Sequence, residues 1–354
     1  MSIADEIVLE EATVPASKLE EARRQRDAYK RQVGRLEEEK NEAVARLEAF
    51  LDFEASGLEI PDWISPKSSN KTKRGVATLF LSDTHFDEVV NPFEVEGLNA
   101  YNREIATARL RVAFQKATSI PSEYITGVKC ESAVLMLGGD MVAGSIHEEL
   151  AQSNEAFLTE TVLYYIEELA AGIYLLLKAY KKVFVTGVVG NHGRLTNKPR
   201  HKGRVKDNWD WLIYKMLERE FKGNKNVVFV IPDSSDITFD IAGYKFRLTH
   251  GDQFRGGGGQ TGVAVPMTTG DRKKRQLAMA TDNPYDYLCM GHWHSYAFYQ
   301  NIIVNNTTKG YDEYAYHNGF AYSEPSQAFW ITTPEHGVTF PVELKVMDRE
   351  KEKW

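Results

Sequence analysis

The sequence predicts a layered α/β domain preceded by a coiled-coil helix, and three observations carry that reading. From Val76 onward, short β-branched or apolar runs alternate with helical segments. Upstream, residues 17–54 hold an apolar line at heptad spacing. Between the two, residues 55–75 carry Pro61, Pro66 and the polar run Ser68-Ser69-Asn70-Lys71-Thr72-Lys73-Arg74, a composition that reads as a flexible linker.

Residues 1–16 are acidic and irregular and are expected to be disordered. Ser17 is a fitting helix N-cap, with Glu20 three positions later at capping-box spacing. From there Leu19, Ala22, Arg26, Tyr29, Val33, Leu36, Lys40, Ala43, Leu47 and Phe50 step by three and four residues. Arg26 and Lys40 interrupt the apolar line and Gly34 lowers helix propensity, so the seam is imperfect. A helix docked on its own domain would show a similar pattern, but a helix set apart by a linker has no obvious surface of its own to cover. Self-association is therefore expected, a dimer being the simplest assembly.

The strands expected in the layered domain, residues 76–354, are Val76 to Leu81, Ala133 to Leu137, Val183 to Val188, Val227 to Ile231, Lys245 to Thr249, Tyr287 to Met290 and Ile302 to Val304. Helices are expected at Arg103 to Thr118, at Glu148 to Tyr180 in one or two pieces, and at Asn208 to Phe221. Metal-binding residue types follow five of the strands at their carboxyl ends. In α/β folds that is where sites assemble.

Bulk properties narrow the function classes. With 354 residues, 42% hydrophobic and 26% charged, the chain has room for one large domain and an appendage or for two ordinary domains. The apolar stretch Ala170 to Leu177 is short and flanked by Glu167, Glu168, Lys178, Lys181 and Lys182, which reads as a buried helix and no membrane span. The start Met-Ser-Ile-Ala-Asp-Glu lacks the features of a signal peptide, and Cys130 and Cys289 both lie in apolar runs. A cytoplasmic protein without disulfides is the expectation. The formal charge of −7 argues against coating nucleic acid by bulk electrostatics and leaves room for local basic patches.

Five segments carry the chemistry: Asp83-Thr84-His85, Gly138-Gly139-Asp140, Gly190-Asn191-His192, His250-Gly251-Asp252 and Gly291-His292-Trp293-His294. Alone, each is a weak signal. In this order, each directly after an apolar run, they are far more specific. Here the sequence resembles the calcineurin-like metallophosphoesterase superfamily, whose pattern is Asp-x-His, Gly-Asp, Gly-Asn-His, a lone His, then Gly-His-x-His. The resemblance covers Val76 to about Val346 and implies a layered β-sandwich flanked by helices.

Such a site uses two divalent ions about 3.5 to 4 Å apart, which activate a bridging water and neutralise phosphoryl oxygens. Oxygen and imidazole donors suit manganese, which is favoured, and also zinc, iron, nickel or magnesium. The resemblance implies that Asp83, His85, Asp140 and His294 hold one ion. Asp140, Asn191, His250 and His292 would hold the other, with Asp140 as the bridge. His192 would bind no metal and would stabilise the transition state or protonate the leaving oxygen, a role that suits histidine, the side chain that ordinarily titrates near physiological pH.

Where many superfamily members have an acidic residue after Gly-Asn-His, this chain has Gly193-Arg194. Arg194 could grip a phosphate oxygen or face solvent. Lys198, Arg200, Lys202, Arg204 and Lys206 alternate with uncharged positions or His201 and, if extended, would track a phosphodiester backbone. Arg255, the glycine run Gly256 to Gly259 and the cluster Arg272 to Arg275 follow the fourth segment. Trp293, Tyr296, Phe298 and Tyr299 could stack bases or belong to the core. These features favour a phosphodiester in DNA, similar to the DNA-repair exonuclease branch. A phosphatase for nucleotides, small monoesters or phosphoproteins is the alternative, and an assembly protein with a vestigial metal site is a third. His147, His201, His317 and His336 receive no role.

Overall fold

The apolar runs fold into two sheets packed face to face, with helices on both outer faces. The computed structural model describes residues 16–51, 59–67, 73–146, 148–255 and 262–354. Two units result, residues 1–55 and 56–354. The first holds helix α1 (Ala16–Leu51), on which Tyr29, Val33 and Leu36 are 71%, 42% and 55% exposed.

In chain order the second unit contains β1 (Lys73–Leu81), α2 (Arg103–Ser119), β2 (Val128–Leu137), α3 (Glu148–Ser153), α4 (Leu158–Ala179), β3 (Lys182–Gly187), α5 (Trp209–Glu220), β4 (Val227–Val230), β5 (Asp236–Ile241) and β6 (Tyr244–Thr249). It continues through α6 (Ala264–Ala280), β7 (Tyr287–Met290), β8 (Ala297–Tyr299), β9 (Ile302–Val304), α7 (Glu313–His317), β10 (Ser326–Thr333), β11 (Gly337–Lys345) and α8 (Arg349–Glu352).

One sheet runs β11-β10-β1-β2-β3-β4 and the other β5-β6-β7-β9-β8. Strands β1 to β4 run parallel to one another, as do β6, β7 and β9, so their carboxyl ends lie on common rims. The period-two alternation of β1 splits its burial. Ala77, Leu79 and Leu81 meet the helices, including Leu110 and Phe114 of α2, Leu169 and Ile173 of α4, and Leu217 of α5. Val76 and Phe80 face the other way, joining Val134, Met136 and Phe184 against Phe239, Phe246, Leu248 and Ile303 of the second sheet. A third cluster packs Met267 and Ala278 of α6 on Leu288, Met290, Ile302 and Val304.

Local chemistry sets the element ends. The side chain of Asn102 accepts from Ile105 N at 2.9 Å and caps α2, and that of Asn208 accepts from Asp210 N at 2.8 Å to start α5. The long helix expected at Glu148 to Tyr180 breaks between α3 and α4. There Glu155 N and Ala156 N donate to the carbonyl and carboxylate of Asp87.

Within the span expected to be a linker, residues 59–67 are packed. Ile64 is 1% exposed in the inter-sheet core, and its carbonyl accepts from Ala242 N at 3.1 Å. Apolar Ile60, Trp63 and Ile64 outweigh the two prolines there. Pro66 lies in this piece, residues 68–72 lie outside the described residues, and β1 starts at Lys73, three residues ahead of the expected Val76. The expected disordered start and the last residues of the expected 17–54 helix also lie outside them. The Arg272 to Arg275 cluster falls in the middle of α6. Cys130 and Cys289 are free. Among the described residues no helix is long and apolar enough to cross a membrane.

Candidate metal centre

The turns that leave β1, β2, β3, β6 and β7 carry Asp83 and His85, Asp140, Asn191 and His192, His250, and His292 with His294. Five of these residues have left-handed backbones: Asp83 at φ 53°, His85 at 42°, Asp140 at 52°, His292 at 70° and His294 at 47°. That conformation is costly for a residue with a β-carbon and persists only where the surroundings impose it. Here they do. Asp83 N donates to Gly139 O at 2.9 Å and His85 N to Asp140 O at 3.1 Å, while Thr307 Oγ1 donates to Asp83 O at 2.6 Å. The amides of His192 and His292 donate to Asp140 Oδ1 and Asp83 Oδ1 at 2.6 and 2.9 Å.

The side chains converge in three overlapping groups whose donor atoms lie within 4.8 Å of one another: Asp83, His85 and His294; His85, Asp140 and His192; and Asp140, His250 and His292. Asp140 belongs to two groups and His85 to two. Asn191 joins the third group through Oδ1, 3.1 Å from His250 Nε2.

The donor set fits divalent cations. His250 Nδ1 lies 2.8 Å from Gly138 O, and a carbonyl only accepts, so Nδ1 carries a proton. In the neutral ring Nε2 is then a lone-pair atom, yet it faces Asp140 Oδ2 at 3.0 Å and Asn191 Oδ1 at 3.1 Å. Three acceptors so placed require a proton or a cation among them. On the other side, His85 Nε2 and His294 Nε2 stand 3.1 Å apart, with Asp83 Oδ1 3.5 Å from the latter. Ligands held ~2.0–2.1 Å from one ion lie roughly this far from each other.

Electrostatics show the same strain in the metal-free protein. Burial pushes the Asp140 carboxyl up, but His250 and then His192 overcome it and hold it well below the usual range. Burial pulls His250 down, and the Asp140 carboxylate reverses this and lifts it to about 10. His85 is driven well below its ordinary value by burial and by His192, and His292 falls to about 4 through burial and His250.

His192 Nδ1 lies 2.9 Å from Ala143 O, which places its proton there and leaves Nε2 as the second ring nitrogen. Its ring stands edge-on to that of His85, centroids 4.5 Å apart.

The other expected site residues are arranged differently. Arg194 donates from Nε, Nη1 and Nη2 to the carbonyls of Thr196, Asn191 and Asn197 at 2.9, 2.9 and 3.1 Å, bracing the loop that presents Asn191. Arg255 is exposed and borders residues 256–261, so the glycine run lies outside the described residues, as does His147. The basic segment 198–206 is made of bends and turns, so its cations do not form the extended strip that alternation allows. Arg204 grips Asp252 through two bonds of 2.8 and 2.7 Å, and Lys206 meets Asp233 at 2.8 Å. Of the aromatics, Trp293 packs on the α6 core and Tyr296 on the inter-sheet core, while Phe298 and Tyr299 are partly exposed. A cavity of about 680 Å³ beside α8, lined by Val90, Tyr101, Ile105 and Trp354, includes none of these residues.

Sequence reasoning missed the residues that hold the loops. Asp210, fully buried, accepts from Asp140 N, Gly190 N and Met141 N at 3.0, 2.8 and 3.1 Å. Burial, with Asp140 adding to it, raises its carboxyl to about 6. Buried Lys309 pairs with Glu88 and Asp312, and buried Arg109 donates to the carbonyls of Thr308 and Lys309. Only Asp210 had a sequence signal, its place just inside a helix after an Asn cap.

No family model and no curated protein matches this chain. Solved structures do. A single mutant of Vps29 from Entamoeba histolytica is 14% identical, with 75% of this chain and 98% of that one covered and a TM-score of 0.27. A conserved, uncharacterized Streptococcus pneumoniae protein, a predicted phosphoesterase, is 11% identical over 75% of this chain and 95% of that one, with a TM-score of 0.28. The phosphopantetheinyl hydrolase of Mycobacterium tuberculosis is 13% identical over 72% and 95%, also with a TM-score of 0.28. These likenesses are too distant to place the chain in a family.

Proposed function

We propose that this protein is a metal-dependent phosphoester hydrolase with a two-ion site. One observation carries the reading: His250 Nε2 faces Asp140 Oδ2 at 3.0 Å and Asn191 Oδ1 at 3.1 Å, an arrangement that a cation satisfies. Asp140, Asn191, His250 and His292 would hold that ion, and Asp83, His85, Asp140 and His294 the other. Bound there, divalent ions supply Lewis acidity, lowering the pKa of water and neutralising phosphoryl oxygens. Manganese is the first candidate among metals that accept such donors.

The chain's own residues do the rest. Asp140 would be shared by both ions because a carboxylate has two oxygens, and its Oδ1 is steadied by the amide of His192. His192, its Nδ1 proton tied to Ala143 O, presents Nε2 as the atom that holds or delivers a proton to the leaving oxygen. Arg194 keeps Asn191 in place through its carbonyl.

The substrate we favour within this class is a phosphodiester in DNA. Exposed Lys198, Arg200 and Lys202, in the loop after Asn191, support it; the pairing of Arg204 and Lys206 with acids narrows that support. We further infer that α1 pairs with a second copy of the chain, because Tyr29, Val33 and Leu36 expose one apolar line.

The test is a matrix of manganese, zinc, magnesium and nickel against a diester reporter, a monoester reporter, and single- and double-stranded DNA. Hydrolysis of either reporter, with Asp140→Asn impaired in metal loading and His192→Ala loaded but inactive, is the expected outcome. DNA left intact while monoesters turn over would make the protein a phosphatase. A protein that binds no ion would end the hydrolase reading.

A further inference from the structure

His85 is flanked on both sides. Its Nε2 lies in the ligand cluster, 3.1 Å from His294 Nε2. Its Nδ1 points away, 3.4 Å from Glu88 Oε2. Both of those atoms are buried, and neither has a hydrogen-bond partner among the described residues. Two orphaned polar atoms facing each other at this distance are one small rotation short of a hydrogen bond.

Glu88 is fixed from behind. Its Oε1 accepts from Lys309 Nζ at 2.9 Å, and that ammonium also pairs with Asp312. Lys309 is 3% exposed, and its main chain is held by Arg109 and by the hydroxyl of Thr307, which donates in turn to Asp83 O. The buried carboxylate thus has one oxygen committed to a donor and the other aimed at an imidazole.

A neutral imidazole carries one N–H, and a carboxylate can only accept. We propose that Glu88 is a positioning residue: it takes the Nδ1 proton of His85 in a hydrogen bond, so that Nε2 keeps its lone pair for an ion. This rests on the two-ion reading above. Outer partners of ligating histidines act in this way in general, fixing tautomer and ring orientation.

Lys309 makes the inference sharply testable. In the Glu88→Gln variant the ammonium demands the amide carbonyl, which turns the NH2 toward His85 Nδ1 and selects the opposite tautomer. A near-isosteric change then does more harm than truncation by Glu88→Ala. A residue that only fills space would give the reverse order.

The experiment pairs two measurements on the full chain. Nitrogen-15 NMR of the metal-free protein reads the His85 tautomer, and competition with a chelator reads manganese affinity. Expected are an Nδ1–H tautomer in the wild type, an Nε2–H tautomer in Glu88→Gln, and a loss of about 10- to 100-fold in affinity for one of the two ions. The wild-type spectrum needs no variant to fold, and an Nε2–H tautomer there overturns the inference. So does Glu88→Gln binding both ions as tightly as the wild type. A wild type that takes up no ion sinks the two-ion reading and this inference with it, whereas normal loading of wild type and variant alike sinks this inference alone.

Discussion

Gly190 and Asp140 meet where two loops of the site cross: a β-carbon on Gly190 would lie 2.1 Å from Asp140 Oδ1 and 2.4 Å from Asp140 N. Neither atom belongs to a flexible chain end that can swing aside. Gly190→Ala is expected to cost about 1–3 kcal/mol by overpacking and to displace the shared carboxylate. Urea unfolding and metal content by mass spectrometry check both effects. A variant with wild-type stability and loading would show that the loops separate freely.

Asp210 ties the same two loops from below. Its carboxylate accepts three backbone N–H groups, and Asp210→Asn puts an amide NH2 against at least one of them. Leaving a buried donor unsatisfied costs about 1–3 kcal/mol. A lower urea midpoint is expected in the metal-free protein, with metal uptake reduced as the Asp140–Met141 turn loses one of its two anchoring bonds. Unchanged unfolding would refute the anchoring role.

Asp236 sets a pH dependence away from the centre. It accepts from Lys274 Nζ at 2.8 and 2.6 Å, from Arg247 Nη2 at 2.6 Å and from Thr249 Oγ1 at 2.7 Å. Burial pushes its carboxyl up, but Lys274 first and Arg247 with it hold it below the ordinary value. The unfolded chain therefore takes up this proton at higher pH than the folded one. Its stabilisation is complete above the unfolded value, ~3.9, and fades as pH falls through the lower folded value. Asp236→Asn should be less stable at pH 7 and lose less on acidification. Urea midpoints across pH 3 to 7 in chelator measure this; parallel curves for the two proteins would contradict it.

For α1, sedimentation velocity is expected to give a species above monomer mass. Leu36→Glu, in the middle of the exposed line, should return it to monomer. A monomeric wild type at micromolar concentration would remove the case for self-association.

The strands that carry the site were legible within a residue or two of their carboxyl ends, because each joins an apolar run to a polar turn motif. Others were hidden for identifiable reasons. Strand β11 contains Pro341, which argues against a strand, yet β11 is an edge strand where a missing N–H is tolerated. In β10 every residue is buried, so no alternation marks it, and Ser326 and Gln327 disguise its start. Strand β8 is three residues long. Helix α6 holds Pro266 in its first turn and Gly270, whose missing side chain admits the ring of Phe254. β5 does alternate, with Ile237, Phe239 and Ile241 inward, but it is short and rich in aspartate. Asp83, His85, Asp140, Asn191, His250, His292 and His294 could be singled out because motif order is a sequence property. Glu88 and Lys309 could not, since their meaning lies in contacts up to 221 positions apart, and Asp210 showed only as a residue just inside an Asn-capped helix.

The donors come from two different sheets: Asp83, His85, Asp140 and Asn191 leave one, and His250, His292 and His294 leave the other. A cation held by both is a rivet through the seam of the sandwich. Because the unfolded chain offers no such cage, melting temperature climbs with the logarithm of free ion once that exceeds the dissociation constant. On the two-ion reading, metal supply would then govern how long the molecule survives as well as any turnover.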